Sequence, residues 1–170
     1  DRERSGHESS PTAGAIDSQS IEALAAKVRS YDVGMKIVGR KCHVVVDTDG
    51  RLLMVNLTTA DISDSAGAQM IFDAIRRRWS WLKQLFADGA CDRAMQMDKV
   101  AFLDFVIAVV RRLDSEPGFK ISPRHWVVER TFGSLTRWRR LVRDYEQRLD
   151  VSEAMIHVAM GGLLLRHISH

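Results

Sequence analysis

Three carboxylates occupy positions that chemistry could use. Asp17 lies inside a short run of small and apolar residues, Ala13 to Ile21, where a carboxylate is expensive unless it is paired or bound to a metal. Asp88 ends the apolar run Trp81 to Ala87 and precedes Gly89. Open sheets place ligand groups at that end of a strand, although an ordinary tight turn has the same sequence. Glu129 stands beside an apolar stripe of helical period: Val128, Phe132, Leu135, Trp138, Val142, Tyr145 and Leu149. Singly, each acid is as well explained by a satisfied strand end, a turn or a solvated helix face. Gathered in one pocket they would repel, and at least one would hold its proton unless divalent cations neutralised them. Hard oxygen donors of this kind suit Mg²⁺ or Mn²⁺. Two such ions about 3.5–4 Å apart can activate a water or a 3′-hydroxyl and stabilise the leaving oxygen of a phosphodiester.

A second set of residues points to the same class of substrate. Between residues 124 and 148 there are seven arginines against three acids, a surplus of four positive charges, while the whole chain carries only +3. The basic charge is thus local, which favours a phosphate-bearing partner over general solubility. Arg137, Arg139, Arg140 and Arg143 are the candidate DNA contacts; a solvated arginine face is the bland alternative. Arg130 is expected to turn toward the sheet rim instead. The run Arg76-Arg77-Arg78 is explained by its place in the last turn of a helix, where cations complement the dipole.

The elements that must position these groups follow from length, patterning and turn chemistry. A chain of 170 residues, 45% apolar and 28% charged, is long enough for one domain with a real core. Residues 1–12 read as a polar linker, and residues 13–170 as the domain. Strands are expected near 13–20, 41–48, 51–58, 82–88 and 105–110, with the Asp49-Gly50 turn closing a hairpin between the second and third. His43 on that hairpin reads as a surface or packing residue. Residues 22–39 read as a loop or short helical turn. Helices are expected at 65–79, capped by Asp64, at 92–104, as one long helix over 122–149 capped by Ser122 with Pro123 behind it, and at 151–168. The last is apolar on most sides and is expected to be largely buried. The longest apolar run, Val158 to Leu165, is too short to span a bilayer. Cys42 and Cys91 lie far apart and read as reduced thiols of a cytoplasmic protein. The chain opens at Asp1 with no Met, and we expect it to be a piece of a longer protein.

The first three strands should form an antiparallel meander. A right-handed crossover through the 65–79 helix then lays the fourth strand parallel beside the first. Asp17 and Asp88 would lie on neighbouring strands of a mixed α/β sheet, with Glu129 on a helix packed across it.

On IDSQSI, GRKCHVVVDTDGRLL, TTADISD, LFADGA and above all RHWVVERTFGSLTRWRRLVRDYEQ, the chain resembles the catalytic domain of bacterial insertion-sequence transposases of the DDE type. The resemblance runs from about residue 10 to the end. It implies a ribonuclease-H-like fold, with Asp17, Asp88 and Glu129 as the catalytic, metal-binding triad for two Mg²⁺ or Mn²⁺ ions. It also implies cleavage at transposon ends and strand transfer on double-stranded DNA (terminal repeats and target), action as a homodimer, and a DNA-recognition region N-terminal to this chain. Five positions depart from the family pattern: Cys91 for Tyr, Ser134 for an aromatic, His125 for Arg, and Met35 and Cys42 for basic residues. Each loses a stacking surface or a phosphate contact, since a mostly neutral His does not replace the arginine fork. Two rival readings follow: a catalytically impaired remnant that binds DNA or assembles without cutting, and a nuclease of the same fold.

Overall fold

The computed structural model describes residues 2–88, 106–110 and 126–169, with the side chains of 73, 88 and 106–110 left aside. Six strands, β1 (Ala13–Glu22), β2 (Ser30–Asp32), β3 (Ile37–Asp47), β4 (Leu52–Thr59), β5 (Gln84–Asp88) and β6 (Val106–Val110), form one mixed sheet. The long strand β3 lies between β1 on one edge and β4 with β2 on the other, all antiparallel. Beyond β1 come β5 and then β6, both parallel to it. The expected meander and crossover are both present, with β1 and β5 adjacent. The addition is β2. Its polar sequence hides it, and its turn is fixed by Asp32, whose Oδ1 accepts from the N–H groups of Gly34 and Met35 at 2.9 and 3.0 Å.

Alternation along the strands divides the core in two. Helix α1 (Asp64–Arg78) covers one face, where Ile16, Val45 and Leu85 meet Ala68, Ile71, Phe72 and Ile75. On the other face Ala15, Val44, Val46 and Phe86 meet helices α2 (Trp126–Leu135) and α4 (Leu149–Ser169). The cap of α1 is Ser63, whose hydroxyl accepts from Ala66 N–H, and not Asp64. Asp64 is instead drawn to β1 and β3, accepting from the Ser18 hydroxyl at 2.5 Å and pairing with Lys41 at 3.1 Å.

The expected long helix over 122–149 is broken, and its first four positions lie outside the described residues. It ends at Leu135, resumes for the single turn α3 (Arg139–Val142), and gives way to an irregular segment before α4. Trp138 is extended at φ −91°, ψ 107°, and its ring lies against α4 so closely that a Cβ on Gly162 would sit 2.8 Å from it. Docking that ring is incompatible with continuing the helix. The apolar stripe therefore stops at Trp138: Val142 and Tyr145, further along it, are more than half exposed. The last helix, expected to be buried, hides only Ser152, Ile156, Ala159 and Met160, and leaves Val158 and Leu165 in solvent. The strand expected from Trp81 begins at Gln84; Trp81 sits edge-on to Trp79 in the preceding turn. The helix expected at 92–104 lies outside the described residues.

Candidate active site

Asp17 sits in the middle of β1, opposite Val44 of β3. It is half-buried, and the Ser18 backbone N–H donates to its Oδ1 at 2.7 Å. Two positions earlier Ala15 joins the core beneath α2, so alternation sets Asp17 on the α2 face as well. The paired residues Ala15 and Phe86 fix the register between β1 and β5. Two positions further along the same two strands stand Asp17 and Asp88. Asp88 is the last residue of β5, where its backbone is level with Val110 of β6.

Glu129 lies in the first turn of α2, exposed. Its helix is held to β1 and β3 by Val127, Val128, Phe132 and Leu135, which enter the core beside Ala15, Val44 and Val46. Full burial of an aliphatic or aromatic side chain stabilises by about 1.5–3 kcal/mol, so four of them fix the helix firmly. Among the described residues, which omit the Asp88 side chain, no three His, Cys, Asp or Glu side chains form a metal-holding group. The donor chemistry suits a hard divalent cation: Asp17 is a carboxylate on a rigid strand, oriented by a backbone N–H, on the face that α2 covers.

Arg137 and Arg139 have no ion pair among the described residues. Arg140 pairs with Glu146 at 2.9 Å and Arg143 with Glu22 at 2.7 Å, while both stay more than half exposed. Pairs that exposed are worth about 0–1 kcal/mol, so a phosphate could displace either acid cheaply. Arg130 turns to the sheet rim, as expected. Its guanidinium lies 4.6 Å from the Trp126 ring centroid and donates to Asp49 O at 3.1 Å.

Arg40 has a role that the sequence reading did not assign, and His43 takes the packing role that it did. Arg40 is wholly buried near the start of β3, and its guanidinium gathers Val28 O, Asp144 Oδ2, Ser152 Oγ and the carbonyls of Glu146, Gln147 and Arg148. It thereby holds the irregular segment after α3, next to the arginines that could meet DNA. The available signal was a charged residue at an inward position of an apolar strand. His43 is also buried, with Nε2 3.0 Å from Thr58 Oγ1, and burial pulls its imidazole down to about 4, Asp64 acting in the opposite sense.

The departures from the family pattern separate by location. Cys42 is 1% exposed within the core, so the thiol itself meets no phosphate. Burial, with Glu153 and Asp144 adding to it, pushes its thiol up to about 12. Met35 is exposed in the β2–β3 turn, and Ser134 is half-buried on α2. Cys91 and His125 lie outside the described residues.

A sheet of this order, three antiparallel strands continued by two parallel ones with helices on both faces, is the ribonuclease-H-like architecture. Solved structures agree. The catalytic core domain of BIV integrase matches 88% of this chain and 80% of its own at a TM-score of 0.50 and 15% identity. A chain of the simian T-cell lymphotropic virus intasome in complex with PP2A regulatory subunit B56 gamma matches 89% and 48% at 0.53 and 16%. At those identities the likeness is one of fold. The family comes from the sequence: the model described as "Transposase DDE domain" matches residues 8–161, and the chain belongs to that family. A relative in Burkholderia cepacia, named "Putative transposase for insertion sequence element IS402", is 31% identical over 126 residues, covering 69% of this chain. The chain spans 59% of that relative's length. Transposases and integrases of this kind act on DNA and generally use divalent metals. No helix among the described residues is long and apolar enough to cross a membrane.

Proposed function

We propose that residues 13–170 are the catalytic domain of a DNA transposase, led in by residues 1–12, and that Asp17, Asp88 and Glu129 are its catalytic carboxylates. The observation that supports this best is the β1–β5 register, in which Ala15 is level with Phe86 two positions before Asp17 and Asp88, on the face covered by the helix that bears Glu129. The three carboxylates would hold two Mg²⁺ or Mn²⁺ ions, which supply Lewis-acid activation of a water or 3′-hydroxyl and stabilise the leaving oxygen of the phosphodiester. The adjacent strands would keep Asp17 and Asp88 near one another, and the Ser18 N–H orients the Asp17 carboxylate. Glu129 completes the site from α2. Arg137, Arg139, Arg140 and Arg143 would hold the DNA backbone alongside. The substrates would be transposon ends and target DNA, handled in the cytoplasm by a dimer of the whole protein.

The test is Mn²⁺-dependent cleavage of supercoiled plasmid at low salt, comparing the chain with Glu129→Gln. The substitution keeps size and helix propensity but removes the charge. Cleavage should fall on the order of 100-fold or more, while metal-free DNA binding holds. Equal cleavage by the two proteins would remove Glu129 from the site. A joined product distinguishes strand transfer from the simple cutting of a nuclease. A chain that binds DNA yet never cuts it would be the impaired remnant.

A further inference from the structure

We propose that the groove between the β3–β4 turn, α2 and the C-terminal half of α4 is a second binding surface for the DNA phosphodiester backbone, apart from the Arg139–Arg143 segment. The inference rests on the reading of the chain as acting on DNA, and assigns that DNA a path.

The groove has a volume of about 470 Å³ and is lined by Arg51, Arg130, Arg137 and Arg166, with His157 and His167. Its one carboxylate, Asp49, is already engaged by Arg51, by Arg2 at 3.2 Å and by His7 at 2.9 Å. The acid is thus offset from the hairpin side, and the cations facing it across the groove are not. Arg137 and Arg166 have no ion pair among the described residues. With Arg51 spent on Asp49, the guanidinium groups of Arg130, Arg137 and Arg166 still face the groove and form a surface that attracts a polyanion. Arginine forks also match phosphate oxygens geometrically.

The groove is placed to continue a path from the candidate active site. Arg130, Ser134 and Arg137 succeed one another at steps of four and three along α2 and the turn after it, and all three line the groove. Glu129 begins the adjacent row, about 100° round the helix at 3.6 residues per turn. A strand crossing α2 would thus leave the carboxylate side and reach the groove within one helix diameter, about 10–12 Å. Ser134 adds a hydroxyl on the way. The apolar floor, Leu52, Met160 and Leu163, gives the charges a low-dielectric backing that strengthens their pull on a phosphate.

Gly161 lines the groove and offers a clean probe. A Cβ there meets nothing within 4 Å, and replacing a helical glycine favours the helix, so substitutions at this position test charge without threatening the fold. Binding of a duplex oligonucleotide is measured in EDTA between 50 and 200 mM salt. The proteins are the full chain, Gly161→Glu, Gly161→Lys and Arg166→Ala. Each phosphate contact contributes about 0.9 to the slope of log K against log salt, so Arg166→Ala should lose about 0.9 of slope and become about 3.5-fold less salt-sensitive over that range. Gly161→Glu should weaken binding and Gly161→Lys strengthen it. If the chain binds DNA and none of these variants alters affinity or slope, the groove is not on the path and the proposed function stands without it. If the unaltered chain binds no DNA at all, the groove and the DNA reading fall together.

Discussion

Replacing Arg40 by Met should cost this protein a large share of its stability. The substitution keeps much of the apolar stem and removes only the guanidinium, which is wholly buried. Six acceptors lose this donor: Asp144 Oδ2 and Ser152 Oγ at 2.7 Å, Gln147 O at 2.9 Å, Val28 O and Glu146 O at 3.0 Å, and Arg148 O at 3.4 Å. Asp144 is the critical one. It is 9% exposed and keeps only the Ser152 hydroxyl and the Glu146 N–H as donors. Removing one member of a buried ion pair typically costs about 3–5 kcal/mol, because the other charge is stranded. Each carbonyl left buried without a donor adds about 1–3 kcal/mol, less whatever water recovers as the segment loosens. A loss of at least about 3 kcal/mol is therefore expected, against a total that for most domains is about 5–15 kcal/mol. Arg40→Lys should recover little, since an ammonium has three donors at one point and cannot span from Val28 to Gln147. Equilibrium unfolding in urea gives the loss directly. Asp144→Asn in the Arg40→Met background removes the stranded charge, so the two substitutions together should cost less than their sum. A loss under about 1 kcal/mol with simple additivity would show that the segment after α3 is held by its backbone contacts, such as Asp144 N–H to Glu22 O at 2.8 Å, and not by Arg40.

Two further expectations concern His43. Its folded-state imidazole is drawn down to about 4, below the unfolded value of about 6.5, so the unfolded chain binds more protons between those values. Its contribution is full above about pH 6.5 and is lost as pH falls toward about 4, on the order of 3 kcal/mol in all. His43→Phe should flatten that part of the stability–pH curve measured by urea unfolding; an unchanged curve assigns the acid sensitivity to other groups. Gly67→Ala should destabilise although Ala is the better helix former by about 1 kcal/mol. The new Cβ would meet the His43 ring at 2.0–2.4 Å, and overpacking typically costs about 1–3 kcal/mol. The penalty should vanish in a His43→Ala background, and stabilisation in the native one would mean that the ring moves aside freely.

What could be read from the sequence was whatever short-range chemistry and strict alternation determine. The Asp49-Gly50 turn fixed the hairpin, since Gly50 takes φ 88°, which glycine tolerates at no steric cost. The crossover rule fixed the neighbours of β1, and with them the pairing of Asp17's strand with Asp88's. The break after Leu135 was hidden because a helical stripe records which residues are apolar and not whether the chain stays helical between them. Trp138 meets its partner on α4, and the groove against which it docks belongs to no local pattern. The same holds for Arg40. Its acceptors lie up to 112 positions away along the chain, so its role is invisible until the fold assembles it. Polar β2 was missed because its pairing is carried by backbone groups opposite β3, with Ser30 level with Gly39 and Asp32 with Ile37.

The structure also divides the candidate site into parts with different mechanical origins. Asp17 and Asp88 stand on adjacent strands, two positions beyond the paired residues Ala15 and Phe86, so their backbones are tied to the sheet. Glu129 comes from a helix tied to that sheet by Val127, Val128, Phe132 and Leu135. That helix ends where Trp138 turns inward against Gly162. The third carboxylate therefore depends on packing in α2 and α4 in a way that the first two do not. Arg40 makes an analogous connection at the far end of the same face, joining β3 to the segment that bears Arg143. On this arrangement the sheet determines where the first two carboxylates sit, and the helical layer determines where the third carboxylate and the arginines sit. Substitutions at the contacts of that layer would move the third carboxylate before the first two. The departure at Ser134 falls in that layer, and the one at Cys42 faces the core beneath it.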